Sequence, residues 1–316
     1  MIRYLTELSM EAFTEAARNV PYQQVESELF PGVDLWIRRD DLIDPIISGN
    51  KAYKLIFNLL EAREQGKDTI VTCGGAWSNH IHATAAAGQR FGFKTIGIIR
   101  GERPPVLSAM LQDAERFGME LRFVSRTIYR KRAEEGFWAQ LGLSGERYWY
   151  VPEGGANEQG ARGVQLLGEV VQETSPVDFV EYWVAAGTGL TTGALARVTP
   201  KDVVVKGVAV LKASPAIQLA AGGWSGCSPD ERPRAIEIEA DWHCGGYAKV
   251  DLQLIQYSSI LAKATEIPMD WIYTMKAGLG LSKLSALCNF VSLPPFRRKK
   301  ILLFHTGGLQ GNRGVG

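Results

Sequence analysis

The chain has 316 residues, 46% hydrophobic and 22% charged, a composition that suits one large or two medium globular domains and excludes a disordered or fibrous protein. Lys and Arg total 35 against 34 Asp and Glu, so the net charge of +1 offers no field to draw in nucleic acid or an anionic membrane, and a small molecule is the expected partner. The four cysteines, Cys73, Cys227, Cys244 and Cys288, form no Cys-x-x-Cys pair, which fits neither a disulfide framework nor a thiolate zinc site and predicts a reducing, cytoplasmic home.

No stretch reaches the ~20 apolar residues of a membrane span. The N-terminal segment, carrying Glu7, Glu11 and Glu15, reads as neither a signal nor a transit peptide. From residue 52 strand-like and helical patterns then alternate. YKLIFNLLEAREQG puts Leu55, Leu59 and Ala62 on one helical face, and TIVTC follows as a buried strand. SNHIHATAAAGQRFG reads as a helix opened by Ser78, KTIGIIRG as a strand, and VLSAMLQDAERFG as a helix closed at Gly118. ELRFVS, an amphipathic IYRKRAEEGFWAQL and RYWYVPEGG continue the alternation, which predicts a parallel sheet covered by helices. After a glycine-rich turn, ARGVQLLGEVVQE (helix), DFVEYWVAA (strand), a glycine/threonine loop, a helix and DVVVKGVAVL (strand) make a second α/β unit. Residues 222–246 mix turn formers with charges and read as a surface excursion near a site.

Four places carry chemistry. Lys51 follows the Gly49-Asn50 turn; alone it is an ordinary helix-start charge, but desolvated it becomes a nucleophilic amine. Gly74 and Gly75 end a strand just before Ser78, Asn79 and His80. There a helix N-terminus can dock a carboxylate, or Ser78 can simply cap the helix. Gly187, Thr188, Gly189, Leu190 and Thr191 form a strand-to-helix bend suited to a phosphate. No acidic residue ends the next strand, and no P-loop lysine is present, which disfavours nicotinamide and ATP. Tyr247, Tyr273, Thr274 and the HTGG run containing Thr306 could stack on, or hydrogen-bond to, an aromatic cofactor, or could merely pack. His80 and His82 stand two apart on a helix and do not share a metal ion.

In this order GNKAYKL, GGAWSNH, PEGGANEQGARG, AAGTGLTTG, DWIYT and HTGG resemble the D-cysteine desulfhydrase and 1-aminocyclopropane-1-carboxylate deaminase family over nearly the whole chain. The resemblance implies pyridoxal-phosphate fold type II: two open twisted α/β domains, tryptophan synthase β-like. Residues 1–51 and 165–316 would form a large cofactor-binding domain and residues 52–164 a small one. It implies a homodimer and a small amino-acid substrate, with pyridoxal 5'-phosphate bound covalently by Lys51, near Lys54, and cradled by residues 187–191. Asn79 would bond the cofactor's ring oxygen, Thr274 and Thr306 would contact the ring, and Ser78, Asn79, His80 and Trp77 would face the substrate. Tyr247 and Tyr273 would stand around the substrate and the ring face. A threonine at 274, where the deaminase has a glutamate, matches the desulfhydrase pattern. Trp77 and Tyr53 replace the family's glutamine and arginine, which implies a pocket of altered size or polarity. Ring-opening deamination, a non-catalytic cofactor carrier and a nucleotide-dependent oxidoreductase are the competing functions.

Overall fold

The computed structural model describes residues 4–226, 235–287 and 298–314; Cys227 and Cys288 lie outside them. In chain order, α1 (Met10–Arg18), β1 (Tyr22–Val25) and β2 (Val33–Arg38) lead into α2 (Asn50–Glu64). Then come β3 (Thr69–Gly74), α3 (Asn79–Phe91), β4 (Lys94–Arg100), α4 (Ala109–Arg116), β5 (Met119–Val124), α5 (Arg126–Arg130), α6 (Phe137–Gln140) and β6 (Tyr148–Val151). The remainder is α7 (Glu158–Thr174), β7 (Glu181–Ala186), α8 (Leu190–Val198), β8 (Val204–Ala209), α9 (Ser214–Trp224), β9 (Ile236–Glu239), α10 (Leu252–Thr265), α11 (Thr274–Leu287) and β10 (Lys299–Phe304).

Among the described residues the strands form two sheets, ordered β1-β2-β10-β7-β8-β9 and β5-β4-β3-β6. Every pairing is parallel except β1 with β2. The inner strands β3 and β7 are buried along their whole length, as a strand covered by helices on both faces must be. This is the two-unit α/β architecture expected from the alternating pattern.

Two local expectations fail. The amphipathic stretch 128–141 is not one helix: α5 and α6 are short and separated, because Gly136 adopts φ +82° and Tyr129 and Phe137 each turn separately into the small-sheet core. Residues 222–246 are more than a surface excursion, since β9 adds a parallel edge to β8.

One apolar core joins the two sheets. Phe13 of α1, Leu55 and Leu59 of α2, Ile70 of β3, Val164 and Leu167 of α7 and Leu302 of β10 belong to a single buried cluster. Helices α2 and α7 cross so closely that a methyl group on Gly163 would stand 1.8 Å from the Tyr53 carbonyl oxygen. Backbone blocks it on both sides, so neither helix can yield without moving the other. Gly163→Ala is expected to lower unfolding stability by about 1–3 kcal/mol in denaturant titration.

Candidate active site

A cavity of about 310 Å³ opens where the carboxyl ends of both sheets face each other. β3 delivers Gly75 and Ser78, β4 Arg100, β6 Glu153 and Gly154, β7 residues 187–189 and 191, and β10 residues 306–308. Loops after parallel strands gather there because each strand of such a sheet ends on the same side. Most of the residues singled out in the sequence line this cavity: Lys51, Lys54, Ser78, Asn79, His80, Gly187, Thr188, Gly189, Thr191, Tyr247, Tyr273 and Thr306.

Lys51 lies in the first turn of α2. Gly49 caps that helix at φ +63°, where a Cβ would fall 1.9 Å from the Thr306 carbonyl oxygen, so only glycine lets α2 start against the 306–308 loop. The backbone N–H of Asn50 donates to that same oxygen at 3.2 Å. Lys51 Nζ donates to Asn50 Oδ1 at 2.8 Å and stands 6.0 Å from the Tyr273 ring centroid. Burial pulls its pKa down to about 8 against the opposing attraction of Asp270, so near neutrality a useful fraction is free amine. Lys54, one helical turn on, donates to the Gly154 carbonyl oxygen, and burial together with the Lys51 charge pushes its pKa well below the lysine range.

Two helix N-termini point at the cavity. Ser78 caps α3 by accepting the Ile81 N–H at 3.2 Å, which uses an acceptor site and leaves the hydroxyl proton free to donate to an anion. At α8 the cap is Gly189 at φ +79°, where a Cβ would meet the Ile217 carbonyl oxygen at 2.7 Å. The 187–191 bend thus keeps its backbone bare before a helix start, the arrangement that binds phosphate. Leu190 turns its side chain into the core and can contribute only backbone there.

Three expectations need correction. Trp77 does not line the cavity: its ring packs on Gly314, and only its carbonyl approaches the site, accepting from Tyr247 at 3.3 Å. Thr274 is fully buried and gives its hydroxyl to Asp270 Oδ1 at 2.7 Å, because Asp270 also caps α11 by accepting the N–H groups of residues 272 to 274. Tyr53 stands two residues past Lys51 and therefore on the opposite helical face, where its hydroxyl donates to Asp40 beside the buried Arg38. His80 and His82 make separate bonds, to the Thr72 hydroxyl at 3.0 Å and to Asp113 at 3.3 Å.

Sequence reasoning passed over Asn50, which links Lys51 to the bend by donating from Nδ2 to Thr191 Oγ1 at 3.2 Å, and over Arg100, Arg132 and Glu153. The Gly-Asn-Lys run was the available signal for Asn50. Arg100 and Glu153 stand at or just past strand ends and Arg132 just past α5, and single-sequence patterns do not distinguish such charges from solvated ones.

The pyridoxal-phosphate dependent enzyme family model matches residues 14–255. The chain belongs to that family. Among its relatives, a Thermotoga maritima protein provisionally named 1-aminocyclopropane-1-carboxylate deaminase is 30% identical, the match covering 89% of this chain and 90% of that one. The bifunctional D-cysteine desulfhydrase/1-aminocyclopropane-1-carboxylate deaminase of Arabidopsis thaliana is 28% identical over 89% of this chain and 73% of its own. A solved structure of an ACC deaminase homologue superposes with a TM-score of 0.76 at 28% identity, covering 93% of this chain and 90% of that one. Among the described residues, no helix is long and apolar enough to cross a membrane.

The cavity fits the family's cofactor in three respects: a desolvated amine at Lys51, a bare helix N-terminus for the phosphate, and Asn79 Oδ1, buried with no hydrogen-bond partner. Covalent attachment of pyridoxal phosphate to the cofactor-free protein should accelerate as pH rises through about 8, where Lys51 loses its proton, and level off above it; stopped-flow absorbance reads this, and a midpoint at the ordinary lysine value of 10.5 would contradict it.

Proposed function

We propose that this enzyme is a lyase acting on a small amino acid, with D-cysteine desulfhydration as its reaction. The carrying observation is the nucleophilic Lys51 amine, which sits in a cavity bounded on one side by an anion-binding bend and on another by the α3 N-terminus. Pyridoxal phosphate, when bound, supplies an aldehyde for covalent attachment and a ring that accepts the electron pair left when a Cα proton departs. Lys51 and Lys54, with the amides of 187–191, would hold it. Asn79 and Thr306 would set its orientation.

The protein's own part then follows from charge. The Ser78 hydroxyl and the first-turn N–H groups of α3 bind the substrate carboxylate. Lys51 Nζ, neutral when released, takes the Cα proton. His80 stays uncharged, since burial and the two lysines push its pKa well below the histidine range, so it adds no further positive charge beside the carboxylate. Burial raises the Tyr273 phenol well above its usual range, so it stays protonated near neutrality and offers a hydrogen bond, not a phenolate base. As the Cα–H and Cβ–S bonds break, the sulfur leaves with its electron pair; D-cysteine and water give pyruvate, hydrogen sulfide and ammonia.

The names of the relatives favour one competing reading, ring-opening deamination of 1-aminocyclopropane-1-carboxylate to 2-oxobutanoate and ammonia. The threonine at position 274 supports the desulfhydrase instead, since the resemblance gives the deaminase a glutamate there. We also propose the homodimer that the resemblance implies. A panel of D- and L-amino acids with 2-oxo acid and sulfide detection should give pyruvate and sulfide from D-cysteine, with the rate falling about 10³-fold or more in Lys51→Ala. Release of 2-oxobutanoate from the cyclopropane substrate with no sulfide from D-cysteine would reverse the assignment, and an unaltered Lys51→Ala would overturn the lyase reading.

A further inference from the structure

The substrate end of the cavity carries a cation that D-cysteine has no use for. Of the charged groups there, Glu153 is already committed: Oε2 accepts from Arg132 at 2.7 Å and Oε1 from the Tyr129 hydroxyl at 2.7 Å. Arg132 and Glu153 thus offset each other. The guanidinium of Arg100, at the carboxyl end of β4, makes no hydrogen bond or ion pair among the described residues.

Three neighbours mark where it lies. The guanidinium lies 5.9 Å from the centroid of the Tyr129 ring, whose other cation, Arg132, stands at 5.0 Å. Tyr129 is 2% exposed and anchored through Glu153, so the ring is a rigid platform. An Nη2 atom of Arg100 comes within 3.6 Å of the place a Cβ would occupy on Gly75, at the edge of the turn that leads to Ser78. Its charge also reaches Tyr247, whose phenol is raised by burial and drawn back partly by Arg100. The guanidinium therefore overhangs the space between the carboxylate site at Ser78 and Tyr247, and it is solvated enough to exchange water for a ligand.

We propose that, beside D-cysteine, the enzyme takes small amino acids whose β-substituent ends in an anionic oxyacid group, and that Arg100 receives that group. The inference rests on the lyase reading above and widens its substrate class. A thiol on Cβ would leave the guanidinium facing water, whereas a phosphate, sulfonate or carboxylate matches its forked donors. With O-phosphoserine the Cα–H and Cβ–O bonds break, phosphate leaves with the electron pair, and one water completes the balance to pyruvate, phosphate and ammonia.

The test uses the holoenzyme with both enantiomers of O-phosphoserine and of β-chloroalanine, which share the reaction but differ in side-chain charge. Wild type should show the lower KM for O-phosphoserine of the accepted hand, with that advantage shrinking as salt is raised. Arg100→Gln should raise the KM for O-phosphoserine relative to that for β-chloroalanine about 10- to 100-fold, and Arg100→Lys should restore part of the ratio. Equal shifts for both substrates, or a wild type that processes β-chloroalanine yet prefers it over O-phosphoserine, would overturn the proposal. Calorimetric titration with O-phosphoserine separates the two layers. If neither compound nor D-cysteine is turned over, the lyase reading fails, while binding that Arg100→Gln abolishes still supports the anion site and binding that it leaves intact refutes it.

Discussion

An amine taken out of water without a carboxylate to pair with is the constraint on which this site depends. The hydrogen bond of Lys51 goes to Asn50, a neutral amide, so nothing compensates a buried ammonium except the more distant Asp270. Easier loss of the proton is the inexpensive solution, and it leaves a fraction of an ordinary side chain nucleophilic at physiological pH. A direct ion pair would have kept the lysine charged and inert.

What holds the amine in that position is backbone geometry reaching across the fold. Gly49 starts α2 against the carbonyl of Thr306, and Gly163 lets α7 lie on the back of α2. Asn50 then ties the helix start to Thr191, so the nucleophile and the anion-binding bend share one rigid connection even though they lie 140 residues apart in sequence. The N-termini of α3 and α8 supply positive potential from the peptide dipoles, which leaves the cavity's charged side chains available for chemistry and recognition. Two neighbouring cationic lysines would repel each other; burial resolves this by lowering both.

Much of this was legible in the sequence because it is local. Apolar runs alternating with 3.6-residue periodicity gave β3, α3, β4 and α4 almost residue for residue, and the glycine-flanked motifs at 49–51, 74–80 and 187–191 are the segments the fold brings together. The illegible parts depend on contacts distant in sequence. Tyr53 looked like a pocket residue through its closeness to Lys51, but helical rotation sends it into the Arg38–Asp40 cluster. Thr274 was read through a family position, yet Asp270, four residues earlier, claims its hydroxyl. Arg100 and Glu153 acquire meaning only when β4 and β6 end on the same side of one sheet. The edge strands β1 and β9 were missed because four residues carry too little periodicity to read.

The central claim is that one of two neighbouring lysines, Lys51, carries the cofactor. Reduction of the holoenzyme with borohydride, proteolysis and mass spectrometry of the labelled peptides test it directly. The account predicts a single phosphopyridoxyl group on Lys51; label on Lys54, or no covalent label on a protein that still binds the cofactor, would contradict it.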